Sequence, residues 1–232
     1  MNPIYKTQIL QGHTRPIKDI KFSKDGKYIF SASSDRTVLK WDSTNNQNLK
    51  TYPHQASVNV ICLSQNNNWM FTGDSTGCIY IWDLISNELF RKVEFEAILN
   101  IRFIDISTDG LFLLVTLSSR AKNSKSFVKA FLTNDFLNEE FKNDKKVPNE
   151  FKEFICQKIE TKFVKSLFTN FNKSILVSRE DGILEMINFE NGLIISSEKF
   201  HDDIILDFDV NFEYGLIITS SKDSNLCLIN HF

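Results

Sequence analysis

The stretch that most constrains the fold is residues 31–42, SASSDRTVLKWD, read with Gly12-His13 upstream of it. Residues 28–33 have strand character. Ser34-Asp35-Arg36 make a tight polar turn, residues 37–41 alternate as a second strand, and a Trp-Asp pair closes the unit. The polar residues suit a side-chain hydrogen-bond relay. Asp35 can hold the imidazole of His13, the imidazole can bond the Ser33 hydroxyl, and that hydroxyl can reach the Trp41 indole N–H. Each group then satisfies another inside a sheet, which limits the number of buried polar atoms left without a partner.

The unit repeats. A second copy opens at His54 and ends at Trp82-Asp83, a Trp-to-Trp period of 41 residues. This period and relay are the signature of a WD40 blade, so the expected fold is an all-β propeller of four-stranded blades. The second relay is altered: Thr76 stands at the turn position of Asp35, and Asp74 stands where a Ser is usual. A third repeat over residues 97–132 has Phe131 in the Trp position and a long basic hairpin at 117–126 carrying Arg120, Lys122 and Lys125. Residues 134–153 are charged, contain Pro148 and lack a clean period, so they read as an insertion forming a mobile surface loop with a short outer strand. A fourth repeat covers 154–197 and a fifth begins at His201. Asp181 and Asp223 each precede an apolar residue, Ile187 and Ile229, by the spacing that separates Asp35 from Trp41. The expectation is one propeller domain over residues 1–232 with five recognisable blades, in which the strand-like segment 3–10 could close a small ring, or else a shortened form of a larger ring.

Charge and composition narrow the function. The net charge of −2 and pI near 6.1 give no global field for nucleic acid or an anionic membrane. Cys62, Cys78, Cys156 and Cys227 are scattered without C-x-x-C spacing, which favours reduced core thiols over a metal site. No apolar run reaches the roughly 18 residues of a membrane span, and the first residues lack the apolar core of a signal peptide. A soluble cytoplasmic protein without cofactor is expected.

From its start through Ser43 the chain resembles the subunit i family of eukaryotic translation initiation factor 3. Pro3-Ile4 leading to Leu10-Gln11-Gly12-His13 matches the family's opening. Further matches are the region 51–61, TGDSTGCIYIWD (72–83), SREDGILEMINFENGLII (178–195) and ITSSKDSNLCLIN (218–230). The order of degenerate blades also agrees: a strong relay first, a weakened one second, a third ending in Phe, then an insertion. The family resembles seven-bladed propellers, whose last two repeats have no counterpart here. The resemblance implies a non-catalytic scaffold that docks a helical segment of subunit b, contacts subunit g and supports the small ribosomal subunit through the complex, without sequence-specific nucleic-acid binding of its own. Another WD40 adaptor in RNA assembly or signalling is the alternative.

The Ser-His-Asp set of the relay also invites a hydrolase reading, which the absence of a G-x-S-x-G elbow and of a glycine-rich oxyanion loop disfavours. His13, Ser33, Asp35 and Trp41 are therefore expected to be structural. His54 and His201 occupy the His13 position and share that reading. Asp207 and Asp223, both expected at one rim of the fifth blade, are candidate contacts for a basic residue of a partner. Arg120, Lys122 and Lys125 are candidates for contact with RNA, although no aromatic platform accompanies them. Trp69 is expected to pack between blades rather than bind a ligand.

Overall fold

The computed structural model describes residues 8–96, 99–119, 121, 126–150, 152–155, 161–169 and 172–230. The first blade is a meander of β1 (Ile17–Phe22), β2 (Tyr28–Ser33), β3 (Thr37–Asp42) and β4 (Asn48–Pro53), and the second repeats it with β5 (Val58–Leu63), β6 (Trp69–Asp74), β7 (Cys78–Asp83) and β8 (Glu88–Glu94). The third comprises β9 (Leu99–Ile106), β10 (Phe112–Ser119), β11 (Ser126–Leu132) and β12 (Lys152–Ile155). The fourth comprises β13 (Phe163–Phe168), β14 (Ser174–Arg179), β15 (Ile183–Asn188) and β16 (Ile194–Lys199). The fifth is three-stranded, with β17 (Ile205–Asn211), β18 (Leu216–Ser221) and β19 (Leu226–Asn230). The chain is thus a five-bladed β-propeller array, all antiparallel within each sheet.

Local chemistry explains why the same meander recurs. In the turn from β1 to β2, Ser23 donates to Asp25 Oδ1 (2.6 Å) and accepts from the Tyr28 N–H (2.9 Å). Ser64 with Asn66 and Ser107 with Asp109 repeat this arrangement in the next two blades. One residue in each of these three turns, and one in the β13–β14 turn of blade four, takes a positive φ: Gly26, Asn67, Gly110 and Asn172, the two residue types that tolerate the left-handed region best.

The core lies between blades rather than within them. Phe30, Ala32, Val38 and Tyr52 on one side of blade one meet Val58, Ile61, Met70, Tyr80 and Trp82 of blade two. Similar apolar clusters join the second blade to the third, the third to the fourth and the fourth to the fifth. The outward faces of the two terminal blades differ. Ile20 and Phe22 of blade one are 61% and 66% exposed, and Leu226 and Leu228 of blade five are 64% and 65% exposed. These faces would meet in a closed ring of five, and among the described residues they do not cover each other.

Two expectations change here. Residues 134–153 are not loop throughout: they begin within α1 (Thr133–Leu137), continue through a short 3₁₀ turn (Glu139–Phe141), fold back over blade two and enter the expected short outer strand as β12 of blade three. The driving force is Phe136, fully buried and edge-to-face with Phe71 and Phe131 at 6.4 and 5.4 Å. The long hairpin at 117–126 is shorter than expected, because β10 continues to Ser119 and pairs Ser118 with Ser126. Arg120, Lys122 and Lys125 lie outside the described residues, as do residues 3–7 of the proposed closing strand.

Candidate partner-docking rim and its relays

The relay of blade one is present, with one member changed. The carboxylate of Asp35 can only accept, so His13 donates Nδ1–H to its Oδ2 at 2.8 Å. His13 Nε2 then accepts from Ser31 Oγ (2.7 Å), and Ser31 Oγ accepts the Trp41 indole N–H at 2.8 Å. The hydroxyl in the relay belongs to Ser31, not Ser33. Ser33 shares its strand face but sits one pleat nearer the turn, where it donates to the Arg15 carbonyl (2.9 Å) and accepts from the Asp35 N–H (3.1 Å). Ser31 could have been found from the register, since Ile29 is the partner of Trp41 and Ser31 is the next residue on that face. Burial works against ionisation of Asp35, but hydrogen bonds from Thr37, His13 and the Thr14 N–H outweigh it and bring its pKa down to about 2.

Each later blade departs from this plan in its own way. In blade two Thr72 replaces Ser31, accepting from Trp82 Nε1 (3.1 Å) and donating to His54 Nε2 (2.7 Å). With no turn acid at Thr76, His54 turns Nδ1 to the Tyr52 carbonyl (3.0 Å), and burial lowers its pKa to about 4. In blade three Phe131 fills the Trp position and packs on Phe95 at 5.9 Å. Blade four replaces the relay with a buried guanidinium: Arg179 pairs with Asp181 (2.8 Å) and Glu185 (2.5 Å). Nothing in the sequence pattern singles out Arg179, because it stands in the place of Ser33 rather than of the histidine.

Blade five returns to the histidine form and carries both candidate contacts at one rim. His201, buried, donates Nδ1–H to Asp223 Oδ2 (2.9 Å) and accepts from Thr219 Oγ1 (2.7 Å). Asp223 also accepts the Asp202 and Asn225 N–H groups, and these bonds, set against desolvation, hold its pKa at about 2. Asp207 stands at the start of β17, in the ladder position that Asp19 holds in blade one. The two acids are not equivalent: the Asp223 side chain is 12% exposed and committed to His201, whereas that of Asp207 is 69% exposed. Lys165 of blade four fixes Asp207 from one side, with Nζ donating to its Oδ1 (2.7 Å) and to the Phe208 carbonyl (2.6 Å). Asp207 therefore offers a carboxylate that is oriented yet open to solvent.

Trp69 is half-buried and edge-to-face on Phe90 at 4.9 Å. Among the described residues no group of His, Cys, Asp or Glu side chains is placed to hold a metal ion, and no helix is long and apolar enough to cross a membrane. Cys62 and Cys78 are buried free thiols, and burial raises the pKa of both.

Comparison with known proteins completes the description. The family model for the WD domain, G-beta repeat, matches residues 4–42 and 46–83, the segments that hold the first two relays. The chain carries WD40 repeats. Among curated WD40-type relatives, eukaryotic translation initiation factor 3 subunit I of Kluyveromyces lactis is 28% identical over 232 residues, covering 99% of this chain and 64% of that protein. The Aspergillus niger protein of the same description is 42% identical over 59 residues, 25% of this chain and 16% of its own length. An mRNA export factor of Macaca fascicularis is 41% identical over 51 residues, 22% of this chain and 14% of its own. The chain thus spans less than two thirds of the length of each. Among solved structures, the β-propeller domain of Cps50 (Swd1) from Myceliophteria thermophila superposes with a TM-score of 0.73 at 15% identity, over 93% of this chain and 65% of that one, a likeness of fold.

Proposed function

We propose that this WD40 chain is a non-catalytic scaffold subunit of a cytoplasmic translation initiation complex of the initiation factor 3 kind. It would dock a helical segment of subunit b, contact subunit g and reach the small ribosomal subunit through that assembly. The observation that carries the reading is the end-to-end similarity to subunit I, which extends beyond the two blades with ordinary WD40 signatures into the degenerate ones. In this reading residues 1–232 form one domain, with the insertion within the third blade between β11 and β12 rather than between the third and fourth repeats, and the five blades follow the seven-bladed plan of that family. The exposed outward faces of blades one and five support that plan.

The relay chemistry supports a scaffold over a hydrolase. Ser33 is fully buried and donates to a backbone carbonyl, and Ser31 is spent between His13 and Trp41, so neither hydroxyl is presented to a substrate. Asp207 is the proposed contact for a basic residue of the partner helix, with Asp223 beside it at the same rim.

The similarity of about a fifth of the chain to an mRNA export factor favours, as a second reading, a WD40 adaptor on messenger particles. Sucrose-gradient sedimentation of lysate from the protein's own cells separates the two. Comigration with free small ribosomal subunits is expected for the scaffold, and comigration with nuclear messenger particles alone would support the adaptor.

A further inference from the structure

The outer strands of the first three blades share a pattern that the fourth breaks. On the face turned toward the next blade, each sets a base beside a large apolar residue: Lys50 and Tyr52 on β4, Arg91 and Val93 on β8, Lys152 and Phe154 on β12. The positions are equivalent by register, since Tyr52, Val93 and Phe154 stand opposite Val38, Ile79 and Val128. The three apolar side chains are at most 5% exposed and belong to the clusters that join their blade to the next. The bases reach across the same boundary. Lys50 lies 3.5 Å from Glu88 of blade two, Arg91 holds the insertion of blade three, and Lys152 donates to the Phe189 carbonyl of blade four at 2.8 Å.

On β16 the two positions hold Ser196, opposite Met186, and Glu198, opposite Leu184. A hydroxyl thus replaces the base, and an exposed acid replaces the buried apolar residue. The consequence is a cavity of about 110 Å³ between blades four and five, walled by Leu184, Met186 and Phe200 on one side and Ile217 and Ile229 on the other, with Glu198 in its lining. Small-molecule sites start at about 300 Å³, so this one has room for a single side chain. Glu198 makes no ion pair among the described residues. Its neighbour Lys199 points to the opposite face of the strand and pairs with Asp202 at 3.3 Å.

We infer that this slot takes a basic segment of a partner protein, in which a Lys or Arg lies next to a Phe, Tyr or Leu, so that the partner supplies the pair that β16 lacks. The apolar side chain would enter against Met186, Phe200 and Ile229, and the cation would meet Glu198. Charge selects this occupant. An acidic segment would be repelled by Glu198, and a wholly apolar one would desolvate that carboxylate without giving it a counter-ion. Neither Asp207 nor Asp223 takes part, and the slot is the same whichever complex the chain joins.

The test is fluorescence anisotropy on the full chain with three labelled decapeptides, in which Lys and Phe, Ser and Phe, or Lys and Ser alternate. Glu198→Lys reverses the charge, and Glu198→Phe gives β16 the residue type that Phe154 provides in blade three. Both replace an exposed side chain, so the melting curves should stay at the wild-type position or, for Glu198→Phe, move above it. The expected result is binding of the Lys-Phe peptide to the wild type, weakened at least about tenfold by either variant and in either control peptide. Glu213→Lys, the same charge change on the exposed turn after β17, should have no effect. Equal binding by wild type and Glu198→Phe, an equal loss in Glu213→Lys, no binding of the Lys-Phe peptide, or equally tight binding of a control peptide would each overturn the proposal. So would a wild-type dimer, seen by analytical ultracentrifugation, that Glu198→Phe dissolves, because the slot would then belong to a second copy.

Discussion

The indole N–H of Trp41 ends on Ser31 Oγ at 2.8 Å, and that single hydroxyl connects blade one's innermost polar chain, from Trp41 through His13 to Asp35. Ser31 is 4% exposed and Trp41 3%, so water cannot substitute for the lost bonds. Ser31→Ala leaves both a buried indole N–H and an imidazole nitrogen without partners and should cost about 2 to 3 kcal/mol. Ser33→Ala removes a hydroxyl bonded to backbone groups only and should cost about 1 kcal/mol. Urea denaturation of the two variants checks the order.

A second expectation concerns two glycines with similar backbone angles. Gly182 has φ +81, and a Cβ there would stand 1.9 Å from the His201 carbonyl oxygen, where the blade-four turn presses on the blade-five histidine. Gly26 has φ +70 and open space around it. Gly26→Ala should cost about 1 kcal/mol, the strain of the left-handed region alone. Gly182→Ala must also displace backbone and should cost several times as much, read as a larger fall in Tm.

Much of this was legible in the sequence, and the reason is periodic. Alternation and turn residues placed the three inner strands of each blade to within about three residues, the widest miss being the end of β10 at Ser119, because half-buried strands write their faces into the chain. Of the outer strands only the short one at the end of the insertion was anticipated: β16 reads IISSEK with nearly every residue exposed, so burial leaves no pattern. The relay histidines were legible from their spacing, but choosing Ser31 over Ser33 needed the register. Arg179 and the packed insertion escaped notice because a guanidinium between two acids and a single buried Phe136 have no repeat to announce them.

The insertion offers its own test. Arg91, 3% exposed, donates Nε to the Asp144 carbonyl (2.9 Å), NH1 to that of Asp135 (2.8 Å) and NH2 to that of Lys146 (2.9 Å), while the Glu94 N–H bonds the Lys145 carbonyl (2.9 Å). The segment so held covers the edge of β8. Arg91→Met keeps the aliphatic packing and removes the three donations. It should cost about 3 kcal/mol and open residues 138–150 to limited proteolysis before the rest of the chain.

Two half-buried groups titrate in opposition. Burial lowers His54 from 6.5 to about 4, so the unfolded chain binds the extra proton and stability is lost as pH falls from 6.5 toward 4. Burial raises Asp105 from 3.8 to about 6, despite the Phe168 N–H bonded to it at 2.8 Å, so the folded chain binds the extra proton and stability grows as pH falls from 6 toward 3.8. Their contributions should largely cancel, leaving stability flat between pH 4 and 6 with respect to these groups. Asp105→Asn should expose the histidine's slope, up to about 1.4 kcal/mol per pH unit with stability rising with pH, and His54→Gln should give the opposite sign. Below the usual carboxylate value of 3.8, Asp35 and Asp223 add a loss of stability that is complete once pH has fallen through about 2. Denaturation midpoints measured across this range read all three behaviours.

The most direct test of the scaffold account is affinity purification of the tagged chain from its own cells, wild type beside Asp207→Lys, with quantitative mass spectrometry of the retained proteins. Asp207 is open to solvent and its replacement should leave the melting curve of the fold close to that of the wild type. The account predicts that subunits b and g of initiation factor 3 and small-subunit ribosomal proteins are recovered with the wild type, and that Asp207→Lys loses most of subunit b. Wild-type chain recovered without any initiation factor subunit would contradict it.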